Sequence, residues 1–169
     1  VDIPSGLISR WRGSIFLPGI TLDTLLNRLQ HPSESGPHQE DVLALRVLER
    51  RPNDLRLAIR MTRTKIVTVT YDTEHRLHYR RHSRTRASSR SVATKIVELD
   101  GAGTASEHAK PEGDDRGFLW RLNSYWRYEQ VGTGVIVELE SLTLSRGIPM
   151  GLGAIVKPII SRIARESME

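Results

Sequence analysis

The sequence contains no cysteine, which removes disulfides, thiolate catalysis and Cys-ligated zinc from consideration without fixing the compartment. Lysine is scarce: Lys65, Lys95, Lys110 and Lys157 are the only ones, so arginine supplies most of the positive charge. No apolar run approaches the roughly 20 residues that span a bilayer. Internal repeats and low-complexity segments are absent. So are the Gly-x-Ser-x-Gly nucleophile elbow and the Gly-x-x-x-x-Gly-Lys-Ser/Thr phosphate loop. Gly101-Ala-Gly103 and Gly151-Leu-Gly153 are too short to count and read as turns. The first residue is Val1 rather than methionine, so earlier removal of a signal peptide stays open.

What is present is a globular composition. The 169 residues, 38% hydrophobic and 27% charged, suit one domain spanning 1–169 with a sizeable core. The net charge is +5. Arginine offers a planar fork for carboxylate or phosphate, so the balance permits anionic ligands, acidic lipid heads or nucleic acid. The plain alternative is a solvated basic surface.

Hydrophobic periodicity orders the chain. Leu7, Trp11, Ile15 and Leu17 share one parity against Arg10, Arg12 and Ser14, which predicts a half-buried strand ended by Pro18-Gly19. Thr21 is placed to cap a helix carrying Leu22, Leu25, Leu26 and Leu29. Residues 31–41 read as a polar loop. Strands follow at 42–50, at 55–61 after the turn Arg51-Pro52-Asn53-Asp54, at 65–81, and at 85–99. A loop over 100–116 precedes a strand from 118, and Gly132-Thr133-Gly134 turns into a last strand over 135–146. The tail changes period: Leu152, Ile155, Val156, Ile159, Ile160 and Ile163 form an amphipathic helical stripe that Pro158 kinks or divides. A long antiparallel meander must cover its apolar face, and this helix is the large element left to do so. Space between a curved sheet and one helix is a candidate ligand cavity.

Several side-chain sets need weighing. His75, His78 and His82 would converge on a helix, but the surrounding Val, Thr and Tyr predict a strand with His75 opposite the other two. Surface histidines are preferred over a metal site. Glu138 and Glu140 share a face opposite Val137 and Leu139, so a solvated pair meeting arginines is preferred over an acid–base couple. Trp120, Trp126 and Tyr128 are expected in the core, with stacking on a flat ligand as a second role. Six arginines lie between 76 and 90, yet no nucleic-acid module is recognisable.

On the strand 85–99 two readings stay open. If Val92 and Ile96 mark the inner face, Arg90 points inward with them and holds a carboxylate, phosphate or carbonyl. If the small residues Ala87, Ser89, Ser91 and Ala93 face inward to make room, Arg90 faces water. The second is slightly favoured, and a β-bulge would flip the parity midway.

The element order resembles the START-like superfamily, also called SRPBCC or Bet v 1-like, with its helix-grip fold. Gly117-Phe-Leu-Trp-Arg-Leu-Asn-Ser-Tyr-Trp-Arg-Tyr-Glu129 is similar to the penultimate strand of its uncharacterised bacterial members. Val137-Glu-Leu-Glu-Ser-Leu-Thr-Leu-Ser-Arg-Gly-Ile-Pro149 is similar to their last strand, and the run from Gly151 to Ser167 to their closing helix. Pro158 departs from the straight closing helix of many relatives. The resemblance implies an α+β fold, with a curved seven-stranded antiparallel sheet wrapped around a C-terminal helix, and a hydrophobic cavity. Members bind lipids, sterols, polyketides or hormones, and a few catalyse cyclisation or dehydration.

The expectation is therefore non-catalytic binding of a small hydrophobic or amphipathic, lipid- or polyketide-like molecule. The wall would comprise Val69, Tyr71, Arg90, Trp120, Leu122, Ser124 and Trp126, with Ile155 and Ile159 from the helix. Tyr71 and Ser124 would orient a polar group. No cofactor, metal or specific nucleic-acid partner is expected, and the charge allows peripheral contact with an acidic membrane. The alternatives are a cyclase- or hydratase-type enzyme, which needs an ionisable group inside, and a basic interaction module, marked by a contiguous arginine patch on the convex face.

Overall fold

The structure is a computed structural model, and it describes residues 6–34, 41–64 and 68–146. The elements run β1 (Gly6–Pro18), α1 (Leu22–Gln30), β2 (Val42–Arg50), β3 (Asp54–Thr64), β4 (Thr68–Arg81), β5 (Arg86–Asp100), β6 (His108–Ala109), β7 (Arg121–Val131) and β8 (Gly134–Arg146). They form one eight-stranded antiparallel sheet in the order β1-β8-β7-β5-β4-β3-β2, with the two-residue β6 paired to the end of β5. Seven long strands thus match the expected number, and β6 is an addition inside the predicted 100–116 loop. The predicted strand from 118 begins at Arg121, leaving Phe118 and Trp120 in the approach to it. The C-terminal helix expected over 152–163 lies outside the described residues, and so do Ile155 and Ile159.

Alternation of β-branched and aromatic residues with polar ones builds the strands, and register sets which parity faces in. On β4, Tyr71, Thr73, His75 and Tyr79 are buried, while Arg76, His78 and Arg80 are exposed. On β7 the buried set is Leu122, Ser124, Trp126 and Tyr128, and on β8 it continues through Val137, Leu139, Ser141, Thr143 and Ser145. The β7–β8 turn uses Gly132 at φ 54°, a left-handed conformation. Gly134 has no room for a side chain, because a Cβ there would sit 2.5 Å from the Leu17 carbonyl oxygen.

The edge strands β1 and β2 are consecutive in sequence, and α1 follows the first of them. Thr21 caps this helix, its Oγ1 accepting from Thr24 N at 3.2 Å. Gln130 Oε1 accepts from Leu22 N at 2.6 Å, and Leu29 O accepts from the Tyr79 hydroxyl at 3.1 Å, so both helix ends are tied to strands. Leu22 and Leu25 pack with Leu17, Ile20, Ala87, Trp126, Tyr128, Val135, Val137 and Leu139. Leu26 and Leu29 reach a second cluster of Leu55, Leu57 and Tyr79. Thr21→Ala is expected to cost about 1 kcal/mol of stability, read as a lowered urea midpoint with unchanged m-value. An unchanged midpoint would show that Gln130 alone suffices at this terminus.

Candidate functional site: the inward face of the sheet

Apolar packing occupies the two ends of the inward face. At one end lies the helix-covered cluster just described. At the other, Met61, Val69, Tyr71, Ala93, Leu119 and Leu122 pack together with Ile59, Ile96 and Phe118. Between them runs a belt of small side chains. Ser91 pairs with Ser124 and Ser124 with Ser141 across β5, β7 and β8. Ala93 pairs with His75 on the neighbouring strand. Small residues at consecutive inward positions of neighbouring strands leave width that bulky ones would fill.

The belt exists because the sequence of β5 faces inward in two phases. Ala87, Ser89 and Ala93 are buried, opposite Arg81, Tyr79 and His75. The register then slips: Lys95 pairs with Glu74 while Ala93 pairs with His75, so Thr94 is an extra residue. Beyond this bulge the even positions turn inward, and Ile96 and Glu98 lie opposite Thr73 and Tyr71. Val92 and Ile96, equivalent by parity, therefore point to opposite faces. Arg90 is exposed, paired between His78 and Tyr125 on the outward side, and does not belong to the inward wall.

Of the other expected wall residues, Val69, Tyr71 and Leu122 are brought together in one cluster, Ser124 lies in the belt, and Trp126 packs beneath α1. Trp120 is half-buried just before β7, its Nε1 donating to Asp115 Oδ1 at 3.1 Å. The two residues expected to orient a polar group are engaged within the protein. The Tyr71 hydroxyl meets Glu98 Oε2 at 3.4 Å, and Ser124 Oγ meets Ser141 Oγ at 3.4 Å. Burial, then the adjacent Glu98 carboxylate, pushes the Tyr71 hydroxyl far above its ordinary value, so it stays protonated.

Two ionisable groups on this face were not anticipated. Glu98 has a fully buried side chain. Its Oε2 accepts from Arg116 N at 2.9 Å, its Oε1 from Arg116 Nη1 at 3.1 Å, and Lys110 Nζ lies 3.6 Å away. His75 is 4% exposed, which corrects its reading as a surface histidine; His78 and His82 are exposed as expected. Thr73 Oγ1 donates to Ile59 O at 3.0 Å, so it can only accept from His75 Nε2, 2.9 Å away. The imidazole is therefore protonated on Nε2, and Nδ1 presents its lone pair with no hydrogen-bond partner among the described residues. Burial lowers its pKa to about 4, so it is neutral at physiological pH. The period-two run Tyr71, Thr73, His75, Leu77, Tyr79 carried the signal for His75. Nothing local marked Glu98.

The outward face carries charged side chains together with exposed apolar ones such as Ile8, Phe16 and Ile136. Glu140 pairs with Arg10 and Arg12, and Glu138 lies 3.9 Å from Arg127, as expected of a solvated acidic pair. Arg12, Arg127, Glu138 and Glu140, with Ser14 and Tyr125, line an open depression of about 330 Å³. Beside it, the exposed Arg76, Arg80 and Arg90 lie on adjacent strands with no ion-pair partner among the described residues. No group of three His, Asp or Glu among the described residues is placed to hold a metal ion, and no described helix is long and apolar enough to cross a membrane.

No protein-family model and no curated protein matches the sequence. The fold does match solved structures. The STAR-related lipid transfer protein of Xanthomonas axonopodis superposes with a TM-score of 0.63 at 13% identity, covering 100% of this chain and 97% of its own. The lipid transfer and protein localization domain of human StarD13 gives 0.55 at 12% identity, covering 95% of this chain and 77% of its own. Ara h 8.0201, of Bet v 1 type, gives 0.55 at 7% identity, covering 95% of this chain and 98% of its own. At such identities the likeness speaks for architecture alone. The chain has the START-like, SRPBCC-type fold.

Proposed function

We propose that the protein binds a small apolar or amphipathic molecule against the inward face of its sheet without transforming it. The observation that supports this most is the belt of small side chains, Ser91, Ala93, Ser124 and Ser141, held between two apolar clusters. Val69, Tyr71, Leu122 and Trp126 would supply apolar wall, with Trp120 at its margin. Lipid transfer is named for two of the proteins sharing the fold, which fits such a ligand.

The neutral reporter N-phenyl-1-naphthylamine, which brightens in apolar surroundings, tests the reading. Ser91 is half-buried, so Ser91→Phe adds bulk to the belt. Reporter affinity is expected to fall about tenfold or more, equivalent to at least about 1.4 kcal/mol. Arg90→Met, on the outward face, is expected to leave it unchanged. Equal affinity for Ser91→Phe and wild type would place the reporter elsewhere and defeat the proposal.

His75 favours a second reading, a cyclase- or hydratase-type enzyme. A buried neutral imidazole with a free lone pair is an acceptor for a substrate proton. Glu98 is less suited, because Arg116, Lys110 and Tyr71 already occupy its oxygens. Turnover abolished by His75→Gln, with reporter binding intact, would select this reading over simple binding.

A further inference from the structure

Buried hydroxyls on the inward face are almost all partnered. Ser89 Oγ meets the Tyr128 hydroxyl at 2.8 Å, the Tyr79 hydroxyl donates to Leu29 O, and Thr73 is bonded on both sides. Thr143 and Ser145 are different. They are 4% and 1% exposed, and their hydroxyl oxygens have no hydrogen-bond partner among the described residues. An unpaired buried polar group is uncommon enough to need a reason. The two stand at i and i+2 on the inward side of β8, about 7 Å apart along the strand. Leu122 lies opposite Thr143 on β7, and Ser9 and Leu7 lie opposite Thr143 and Ser145 on β1. The buried charge at the same end of the sheet, Glu98, is already joined to Arg116 and Lys110.

We infer that Thr143 and Ser145 are the polar anchor of the binding site, and that the bound molecule is an apolar one carrying a neutral oxygen, a ketone or hydroxyl, rather than a carboxylate. This rests on the binding function proposed above. Each hydroxyl can donate one hydrogen bond to a neutral oxygen and accept another. A carboxylate brought to the same place would shed its hydration with only neutral donors to receive it. The protein holds two donors out of water, and the ligand supplies the acceptor.

The test displaces N-phenyl-1-naphthylamine from the full chain with 2-dodecanone, 1-dodecanol and dodecanoate. In wild type the ketone and the alcohol are expected to compete about tenfold better than dodecanoate. Thr143→Val, close in shape, is expected to weaken the ketone about fivefold or more relative to the reporter in the same variant, whereas Arg90→Met, on the outward face, leaves both affinities unchanged. Ser145→Ala should act in the same direction. Thr143→Val should also raise the thermal midpoint, since it removes an unpaired buried hydroxyl. Such a gain in stability with a loss of ketone affinity marks a group retained for binding. Ketone affinity unchanged in both variants, or dodecanoate as the best competitor in wild type, overturns the anchor while the binding function stands. A reporter that does not bind wild type at all overturns the binding function and the anchor with it.

Discussion

Glu98→Ala is expected to destabilise the protein by about 3–5 kcal/mol, the range for removing one partner from a buried ion pair. The carboxylate is the point at which the segment 101–120 is fastened to the inward face. It receives the backbone and guanidinium of Arg116 and the Lys110 ammonium, while Lys110 N donates to the Glu98 carbonyl. Alanine would leave Arg116 N–H and the Tyr71 hydroxyl without acceptors and the largely buried Lys110 ammonium without its counter-charge. On the outward face the same segment is held by Arg60, which bonds Asp72 at 2.7 and 2.8 Å and Glu107 at 2.9 and 3.2 Å. Arg60 holds the carboxyls of both Asp72 and Glu107 below their usual range, with the Gly103 N–H contributing most at Glu107. The carboxylates of that fastening are partly exposed and solvent-screened, whereas the Glu98 carboxylate is fully buried, so it cannot replace Glu98. Glu98→Gln keeps shape and one acceptor and is expected to cost less. Urea unfolding gives the magnitudes, and hydrogen exchange at the Lys110 and Arg116 amides gives the location. A loss under about 1 kcal/mol for Glu98→Ala would mean that water replaces the carboxylate without penalty.

The contrast between Glu98 and the elements around it shows what local sequence can carry. Leu55, Leu57 and Met61 alternate cleanly, and all three are buried where the alternation puts them. Thr21 caps the helix it was expected to cap, and Gly132 turns the hairpin it was expected to turn. These features depend on neighbours within a few residues. The inward face of β5 does not. Its parity is legible from Ala87 to Ala93 and then reverses at one extra residue, Thr94, whose hydroxyl donates to Glu74 O at 3.2 Å. A bulge has no fixed composition, so Glu98 reads from sequence as an ordinary exposed strand residue. Its burial is conferred by Arg116, which follows it by 18 residues and arrives through a loop.

The site divides in the same way. Val69, Tyr71, Leu122, Ser124 and Trp126 follow from strand alternation alone, and the structure sets all five on the inward side. Thr143 and Ser145 extend the run Val135, Val137, Leu139, so their direction was also readable. Their lack of partners was not, because satisfaction of a hydroxyl depends on what stands across the sheet. The same holds for tautomer and protonation at His75, which follow from Thr73 being committed to Ile59 O.

Wild-type protein is expected to lose about 3 kcal/mol more stability than His75→Leu between pH 7 and pH 4. Burial is the cause of the lowered pKa: charging the imidazole at 4% exposure removes hydration that no neighbour replaces. The folded pKa of about 4 lies below the unfolded value of 6.5, so between these values the unfolded chain binds the additional proton. Stability therefore rises with pH across that window, is complete above 6.5 and is lost as pH falls toward 4. Carboxylates titrate at the low end of the same range, but they are shared by both proteins and cancel in the difference. Leucine keeps the apolar contacts opposite Ala93 and gives up only the bond to Thr73, whose hydroxyl still has Ile59 O. The two urea-derived stability curves should thus diverge from pH 6.5 downward. Parallel curves would mean that His75 titrates alike in both states, with the imidazole reached by water and not the neutral, inward acceptor described above.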